Sequence, residues 1–409
     1  MRDPSVLPRR EFLKAGAAAT AVAVGGCAVG QSAADGSLPG RGLRTELCDL
    51  LGMEYPLLQS GMAPIGGPEL AAAVSNAGGL GIIGAAHLEP EEVRRRIQQV
   101  RRATSRPFGV NLLLHSEVWP PVDTGSFSDA VVGAVHDVLN RFRQRLNLPP
   151  SHARPATRPD HVPGALEVLL EENVPVFSIG LGNPPPDLVA RFHAVGTRVI
   201  AMVATVEDAL TVQASGVDAV VAQGHEAGGH RSTWVKKPTS EHAHIGTIAL
   251  VPQVAESLTI PVIAAGGISD GRGVAAALAL GAQGVMLGTR FAATRESRAL
   301  DFYKEALVAA DSDATTVSDA YSGLYARVLR NTYTTEYRES GAPVLTGYVQ
   351  GIAARDVILA AADTRNREYY PLWAGQGVGM VHDVPSAGDV LTSIVTETLD
   401  VLQKLQIGP

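Results

Sequence analysis

The groups in this sequence best able to do chemistry are concentrated in Ala222-Gln223-Gly224-His225-Glu226-Ala227-Gly228-Gly229-His230-Arg231. His230 can exchange protons near neutral pH without a large pKa shift. Gln223 would present an amide to a heteroaromatic ring, and Gly228-Gly229 would leave room for that ring beside the backbone. A lone histidine is more often a satisfied hydrogen-bonder than a catalyst. One that follows two glycines after an apolar run becomes the candidate catalytic residue. His225 and Glu226 read as polar loop groups. A metal site on His225 and His230 would need a third ligand, and only His242 and His244 lie near, without zinc spacing.

A second pair of segments could hold a phosphate. Ala264-Ala265-Gly266-Gly267-Ile268 and Met286-Leu287-Gly288-Thr289-Arg290-Phe291 each end an apolar run, and glycines there let backbone N–H groups approach phosphate oxygens. A Gly-Gly pair alone would read as a tight turn. Two such loops after the seventh and eighth runs point to phosphate, because that is where β/α barrels customarily bind it. No Walker lysine follows either loop, which argues against a nucleoside triphosphate.

Positioning these loops requires a frame, and the frame is legible. Short apolar runs at Tyr55 to Gln59, Leu80 to Gly84, Phe108 to Leu113, Val176 to Ile179, Arg198 to Val203, Ala219 to Gln223, Val262 to Ala265 and Gly284 to Leu287 alternate with amphipathic stretches. The latter include Glu69 to Asn76, Glu91 to Arg102, Asp187 to Ala194, Val206 to Ala214 and Gly271 to Leu280. Alternating βα units predict a parallel sheet, and eight of them predict an α/β fold of the (β/α)8 barrel kind. Its expected extent is residues 43–310. A Pro-rich, His-bearing insertion at about 117–163 interrupts the third unit. The insertion is expected to form a lid, and residues 311–409 a small helical subdomain and a C-terminal segment returning to the barrel.

The chain has 409 residues, 45% of them hydrophobic and 18% charged, enough to bury a large core and incompatible with wholesale disorder. Its net charge is −7 and no basic tract follows the first dozen residues, so no nucleic-acid partner is expected. Cys27 and Cys48 are too few for a disulfide framework. Pro8-Arg9-Arg10-Glu11-Phe12-Leu13-Lys14 resembles a twin-arginine export signal, and the weakly apolar run from Ala15 to Val24 is far shorter than the roughly 20 residues that span a bilayer. Val24-Gly25-Gly26-Cys27 resembles a lipobox, in which Cys27 would carry a lipid anchor. Residues 28–42 would then be a tether, and the protein would be extracytoplasmic, periplasmic or membrane-anchored.

QSGMAPIGGPELAAAVSNAGGLG, PFGVNLLL, VVAQGHEAGGHR, PVIAAGGISDGRGVAAALALGAQGVMLGTRF and WAGQGVG, in that order from about Leu47 to Val384, resemble the nitronate monooxygenase family, formerly the 2-nitropropane dioxygenases. The resemblance implies a TIM barrel that holds FMN non-covalently and oxidises alkyl nitronates or nitroalkanes with O2 to a carbonyl compound and nitrite. It puts Asn111, Gln223, Gly228, Gly267, Met286, Leu287, Gly288 and Thr289 at flavin-binding positions and makes His230 catalytic. Gly266 joins them as the other glycine of the first phosphate loop. Ser232 departs from the glycine found in many relatives. The same loops also resemble flavin-dependent enoyl-acyl-carrier-protein reductases and NAD(P)H:quinone reductases. An exported FMN-binding electron-transfer protein is a further alternative.

Overall fold

A computed structural model describes residues 41–116, 118–232 and 244–406. The twin arginines, Cys27 and His242 lie outside the described residues. Eight parallel strands run β1 Leu57–Gln59, β2 Gly81–Gly84, β3 Phe108–Leu112, β4 Val176–Ile179, β5 Arg198–Val203, β6 Ala219–Gln223, β8 Val262–Ala265 and β9 Gly284–Leu287. Their order in the sheet is β1-β9-β8-β6-β5-β4-β3-β2. A parallel bridge from Leu58 to Leu80 joins the two edges and closes a (β/α)8 TIM barrel. Within the barrel's β6–β8 connection lies β7, Gly229–His230, which joins a second, antiparallel sheet with β10 Thr315–Ser318 and β11 Ala326–Leu329.

Strand periodicity sorts the apolar residues into two layers. Leu58, Ile82, Val176, Ile200, Val221, Ile263 and Met286 fill the barrel interior. Their neighbours Leu57, Ile83, Phe177, Val199, Val220, Val262 and Leu287 face the helices. The helix Glu46–Leu51 packs Leu47, Cys48 and Leu51 into the same interior cluster. It sits at the N-terminal end of β9, where a Cβ on Gly284 would come within 2.4 Å of Leu47. That end is sealed, which leaves the C-terminal ends of the strands for the chemistry.

The outer helices after β1 to β6 are Pro68–Asn76, Pro90–Ala103, Val162–Glu171, Pro186–Ala194, Val206–Ala214 and Thr247–Ser257, with Gly271–Ala279 after β8. The eighth is Ala387–Gln406, which packs between Gly271–Ala279 and Pro68–Asn76. The returning C-terminal segment is therefore the last barrel helix, and the residues between Ala293 and Ser386 are an excursion that leaves β9 and comes back. The sequence places the last barrel helix earlier because Asp301–Val308, directly after the eighth strand, also has helical patterning.

That excursion and the insertion after β3 share one core. Val135, Leu139 and Phe142 of the helix Asp129–Arg145 pack with Tyr321, Tyr333 and Val357 from the excursion. Arg143, 2% exposed, ties the two segments: Nε donates to Asp356 Oδ2 at 2.7 Å, Nη2 to the Ala353 carbonyl at 2.7 Å and Nη1 to Asn140 Oδ1 at 2.9 Å. The added unit is mixed rather than purely helical, since β10 and β11 belong to it and pair with the barrel loop at β7.

Candidate functional site

A cavity of about 380 Å³ opens at the C-terminal ends of the barrel strands. Asn111, Gln223, Gly228, Gly266, Gly267, Met286, Gly288, Thr289 and His230 all line it. Leu287 does not; the strand alternation that turns Met286 inward turns Leu287 out to the helices.

The loop after β6 is held by its own side chains. Gln223 Nε2 donates to the His230 carbonyl and Gln223 Oε1 accepts from the Ser232 N–H, both at 2.8 Å. Pairing of Gly229 with Arg327 and of His230 with Ala326 makes the loop an edge strand of the added sheet. Ser232 donates its hydroxyl to the Met202 carbonyl at 2.6 Å. Behind the loop, Arg231 Nη1 donates to the Gly224 carbonyl at 2.6 Å, and burial beside Arg327 pushes its pKa down to about 10. Gly228 is glycine because Gly375 comes so close: a Cβ there would lie 2.4 Å from Gly375 N. Open space for a ring is found at Gly229, whose φ is +74° and where a Cβ would meet nothing within 4 Å.

Both ring nitrogens of His230 have a hydroxyl partner. Ser322 Oγ lies 2.9 Å from Nε2 and 3.1 Å from the Leu324 carbonyl, so a hydroxyl that donates to the carbonyl accepts from Nε2–H. In that tautomer Nδ1 is the basic nitrogen, with the Tyr348 hydroxyl 3.5 Å away. The imidazole lies between Tyr348 and Trp373, at centroid distances of 5.2 and 5.1 Å. Burial holds its pKa down at about 4, so the ring is neutral and in its basic form at pH 7.

The opposite part of the cavity is glycine backbone. Gly266 and Gly267 adopt φ +112° and +72°, which L side chains rarely adopt. Among the described residues, the N–H groups of Gly267, Gly288 and Thr289 find no protein acceptor. The segment Trp373 to Val378 closes this end: Gly375 N donates to Thr289 Oγ1 at 2.9 Å, Gln376 N to the Glu226 carbonyl at 2.8 Å, and Ser269 Oγ to the Gly377 carbonyl at 2.9 Å. Unpaired N–H groups converging from two glycine loops suit a phosphate. Asn111 sits at the strand ends, its Nδ2 bound to the Ser178 carbonyl and hydroxyl at 3.1 Å each. The residues present thus fit a phosphate-bearing flavin, which the glycine loops together with Asn111, Gln223 and Gly229 would hold.

Glu226 has a structural task, accepting from Thr247 N at 2.9 Å and Thr247 Oγ1 at 2.9 Å at the start of the helix Thr247–Ser257. The His225 and His244 rings meet at a tilt, 4.4 Å between centroids, and no metal-holding group occurs among the described residues. No described helix is long and apolar enough to cross a membrane.

Four site residues escape the sequence reading: His87, Arg158, Ser322 and Tyr348 all line the cavity. His87 and Tyr348 share a left-handed backbone, φ +66° each, and their rings meet edge to face at 4.4 Å. His87 keeps much of its ring open to the cavity, yet the cavity is deep enough that burial and the nearby Arg158 push its pKa down to about 3. Positive φ at a bulky residue is the one mark that sets such a position apart, and it leaves no trace in residue order.

Comparison with known proteins assigns this architecture. The nitronate monooxygenase family model matches residues 44–397. A probable nitronate monooxygenase of Staphylococcus aureus is 32% identical over 360 residues, covering 88% of this chain and 99% of the relative. Among solved structures, nitroalkane oxidase from Streptomyces ansochromogenes superposes with a TM-score of 0.78 at 34% identity, covering 88% of this chain and 99% of that one. FabK from Thermotoga maritima gives 0.69 at 34% identity, with 89% and 98% covered. With the match running from the first barrel helix into the last, the chain belongs to the nitronate monooxygenase family of oxidoreductases.

Proposed function

We propose that the chain binds FMN non-covalently and oxidises alkyl nitronates, and nitroalkanes after loss of the α-proton, with O2 to a carbonyl compound and nitrite. The observation that carries this reading is a single cavity with unpaired glycine N–H groups at one part and a neutral histidine at another. When bound, FMN supplies the electron acceptance and oxygen chemistry that side chains lack.

The protein's part is placement and proton handling. Gly267, Gly288 and Thr289 would bind the phosphate through N–H groups, while Gln223 and Asn111 border the ring. Nδ1 of His230 would take the α-proton of a neutral nitroalkane. The imidazolium formed would stand beside the nitronate anion, and that attraction offsets the burial that otherwise disfavours charge. The Tyr348 hydroxyl, kept protonated because burial raises its pKa, is a hydrogen-bond donor for a nitro oxygen. Trp373 and Tyr348 pack their rings against the imidazole and orient it.

The test is purification of the full chain, measurement of its flavin:protein ratio, and parallel assays of nitrite release from propyl-1-nitronate and of NADH oxidation with a quinone. Nitrite release with negligible NADH oxidation supports the reading. NADH oxidation without nitrite release replaces it with the reductase alternative.

A further inference from the structure

The wall of the cavity carries sulfur where oxygen chemistry is expected. Of the six methionines in the sequence, Met62, Met202 and Met286 line the cavity. Met53, 3% exposed, packs with Leu47 and Leu51 at the sealed end of the barrel. Met380 lies away from the cavity, with Arg272 Nη2 3.9 Å from its Sδ. A leucine would fill the same wall. A thioether differs in that a peroxide oxidises it to the sulfoxide, which turns a flexible apolar side chain into a polar one.

The three cavity methionines are not equally placed. Met286 is 3% exposed, held in the barrel interior with Val221 and Ile263. Met202 is half-buried on β5 and packs against the same interior cluster. Met62 is half-buried in the loop after β1, and its thioether reaches the phosphate cradle: a Cβ built on Gly288 would lie 3.7 Å from Met62 Sδ. The Met62 backbone is held, because Gly66 N donates to its carbonyl and Gly84 approaches so closely that a Cβ there would lie 2.6 Å from Met62 C. Oxidation would therefore put its oxygen beside the cradle rather than move the loop aside. The Gly288 N–H has no protein acceptor among the described residues, and a sulfoxide oxygen is a strong acceptor that would compete with a phosphate for it.

We propose that Met62 is an oxidation site whose conversion to the sulfoxide lowers flavin retention, so that peroxide formed in the cavity switches the enzyme off. This rests on the reading above that the site uses O2 with a bound flavin. The oxidant is hydrogen peroxide, formed when O2 accepts two electrons and two protons without oxygenating the substrate. The sulfur lone pair attacks one peroxide oxygen, the O–O bond breaks and an S–O bond forms. The proton of the transferred oxygen passes to the departing hydroxide, which leaves as water. Sulfur loses the two electrons that the peroxide gains. A thiol-driven methionine sulfoxide reductase reverses the change, which makes it a switch.

The test treats the flavin-loaded full chain with hydrogen peroxide and reads methionine sulfoxide at each position by peptide mass spectrometry, with the flavin:protein ratio measured after desalting. Met62 should be oxidised about tenfold faster than Met53, and flavin loss should follow Met62 sulfoxide. Methionine sulfoxide reductases with fresh FMN should restore the ratio. Met62→Leu keeps an apolar side chain of similar size and forms no sulfoxide, so its flavin loss under peroxide, taken against its own untreated ratio, should be about tenfold slower. Unmodified Met62, or equal flavin loss from both forms, overturns the proposal, as does loss that follows Met202 or Met286 sulfoxide instead. A second arm runs turnover of propyl-1-nitronate with catalase in the bulk. Met62 should still be oxidised while Met380 is spared, and Met62 left intact through turnover would overturn the cavity as the source of the peroxide. Peroxide-driven flavin release through Met62 without any nitrite from the nitronate upholds the switch and removes the nitronate reading alone.

Discussion

Ser322 Oγ lies 2.9 Å from His230 Nε2 and 3.1 Å from the Leu324 carbonyl, and a hydroxyl that donates to that carbonyl leaves Nδ1 as the basic nitrogen of the site. Ser322→Ala removes the hydroxyl that holds Nε2. Proton abstraction from a neutral nitroalkane should slow by about tenfold, the equivalent of one hydrogen bond of roughly 1.4 kcal/mol. Flavin content should be unchanged, because no proposed flavin contact involves Ser322. Nitrite release from 2-nitropropane and from its nitronate checks this, and an equal loss on both would assign Ser322 to substrate binding instead.

Gly267 tests the phosphate cradle. Its φ of +72° strains any L side chain, and a Cβ would lie 3.1 Å from Glu226 Cβ. Gly267→Val should therefore shift the loop whose N–H group faces the proposed phosphate, weakening FMN retention by at least tenfold while the barrel persists. Circular dichroism reports the barrel, and flavin absorbance per protein reports the cofactor. A yellow variant with unaltered stoichiometry would place the phosphate elsewhere.

Much of this site is readable from residue order. All eight barrel strands lie within the apolar runs, since a strand buried on both faces needs an unbroken apolar segment. His230 is legible because it follows two glycines after such a run. Ser322, Tyr348 and Arg158 are not, because nothing local marks them: Ser322 meets His230 from 92 residues away and Tyr348 from 118. The chain brings them there through a core shared between the insertion and the excursion, a long-range packing decision with no periodicity to announce it. Gly228 is legible as a residue needing to be small, but the cause is the approach of Gly375, also distant in sequence.

That shared core makes a stability prediction. Arg143→Met deletes a buried guanidinium whose partners are Asp356, Asn140, His136 Nδ1 and the Ala353 carbonyl. Asp356 is 43% exposed and can find water, but the carbonyl is buried with the arginine. The expected loss is about 2–4 kcal/mol, read as a lower urea midpoint, with the added unit rather than the barrel failing first. Limited proteolysis should then cut within 117–161 or 311–370. An unaltered midpoint would mean that Met packs as well as the ion pair it replaces.

Export makes a prediction outside the described residues. FMN is made in the cytoplasm, so a chain that holds it non-covalently should fold around it before crossing a membrane, as twin-arginine export permits. Arg9→Lys combined with Arg10→Lys should leave full-length, yellow protein in the cytoplasm. Fractionation of cells expressing the two forms decides it, and equal export of the double variant would remove the signal reading.

The pH behaviour of His230 separates a base from a ligand of the flavin. Burial sets its pKa at about 4, below the ordinary 6.5, so the free enzyme keeps the basic form down to about pH 5. The kcat/KM for a neutral nitroalkane should be level from about pH 5.5 to 8 with respect to this group, and its acid limb should fall through about 4. The same depression has a stability consequence. Between pH 6.5 and 4 the unfolded chain binds a proton that the folded site refuses, so the contribution present above 6.5 is lost as pH falls through 4, and the melting temperature should drop over that window. His230→Asn keeps approximate size and polarity without the titrating nitrogen. It should abolish that part of the acid sensitivity and cut 2-nitropropane turnover by roughly 10² to 10⁴ at matched flavin loading, with much less effect on the preformed nitronate. An acid limb near 6.5 would show that the imidazole is solvated in the working enzyme, and equal losses on both substrates would make His230 an orienting group that removes no proton.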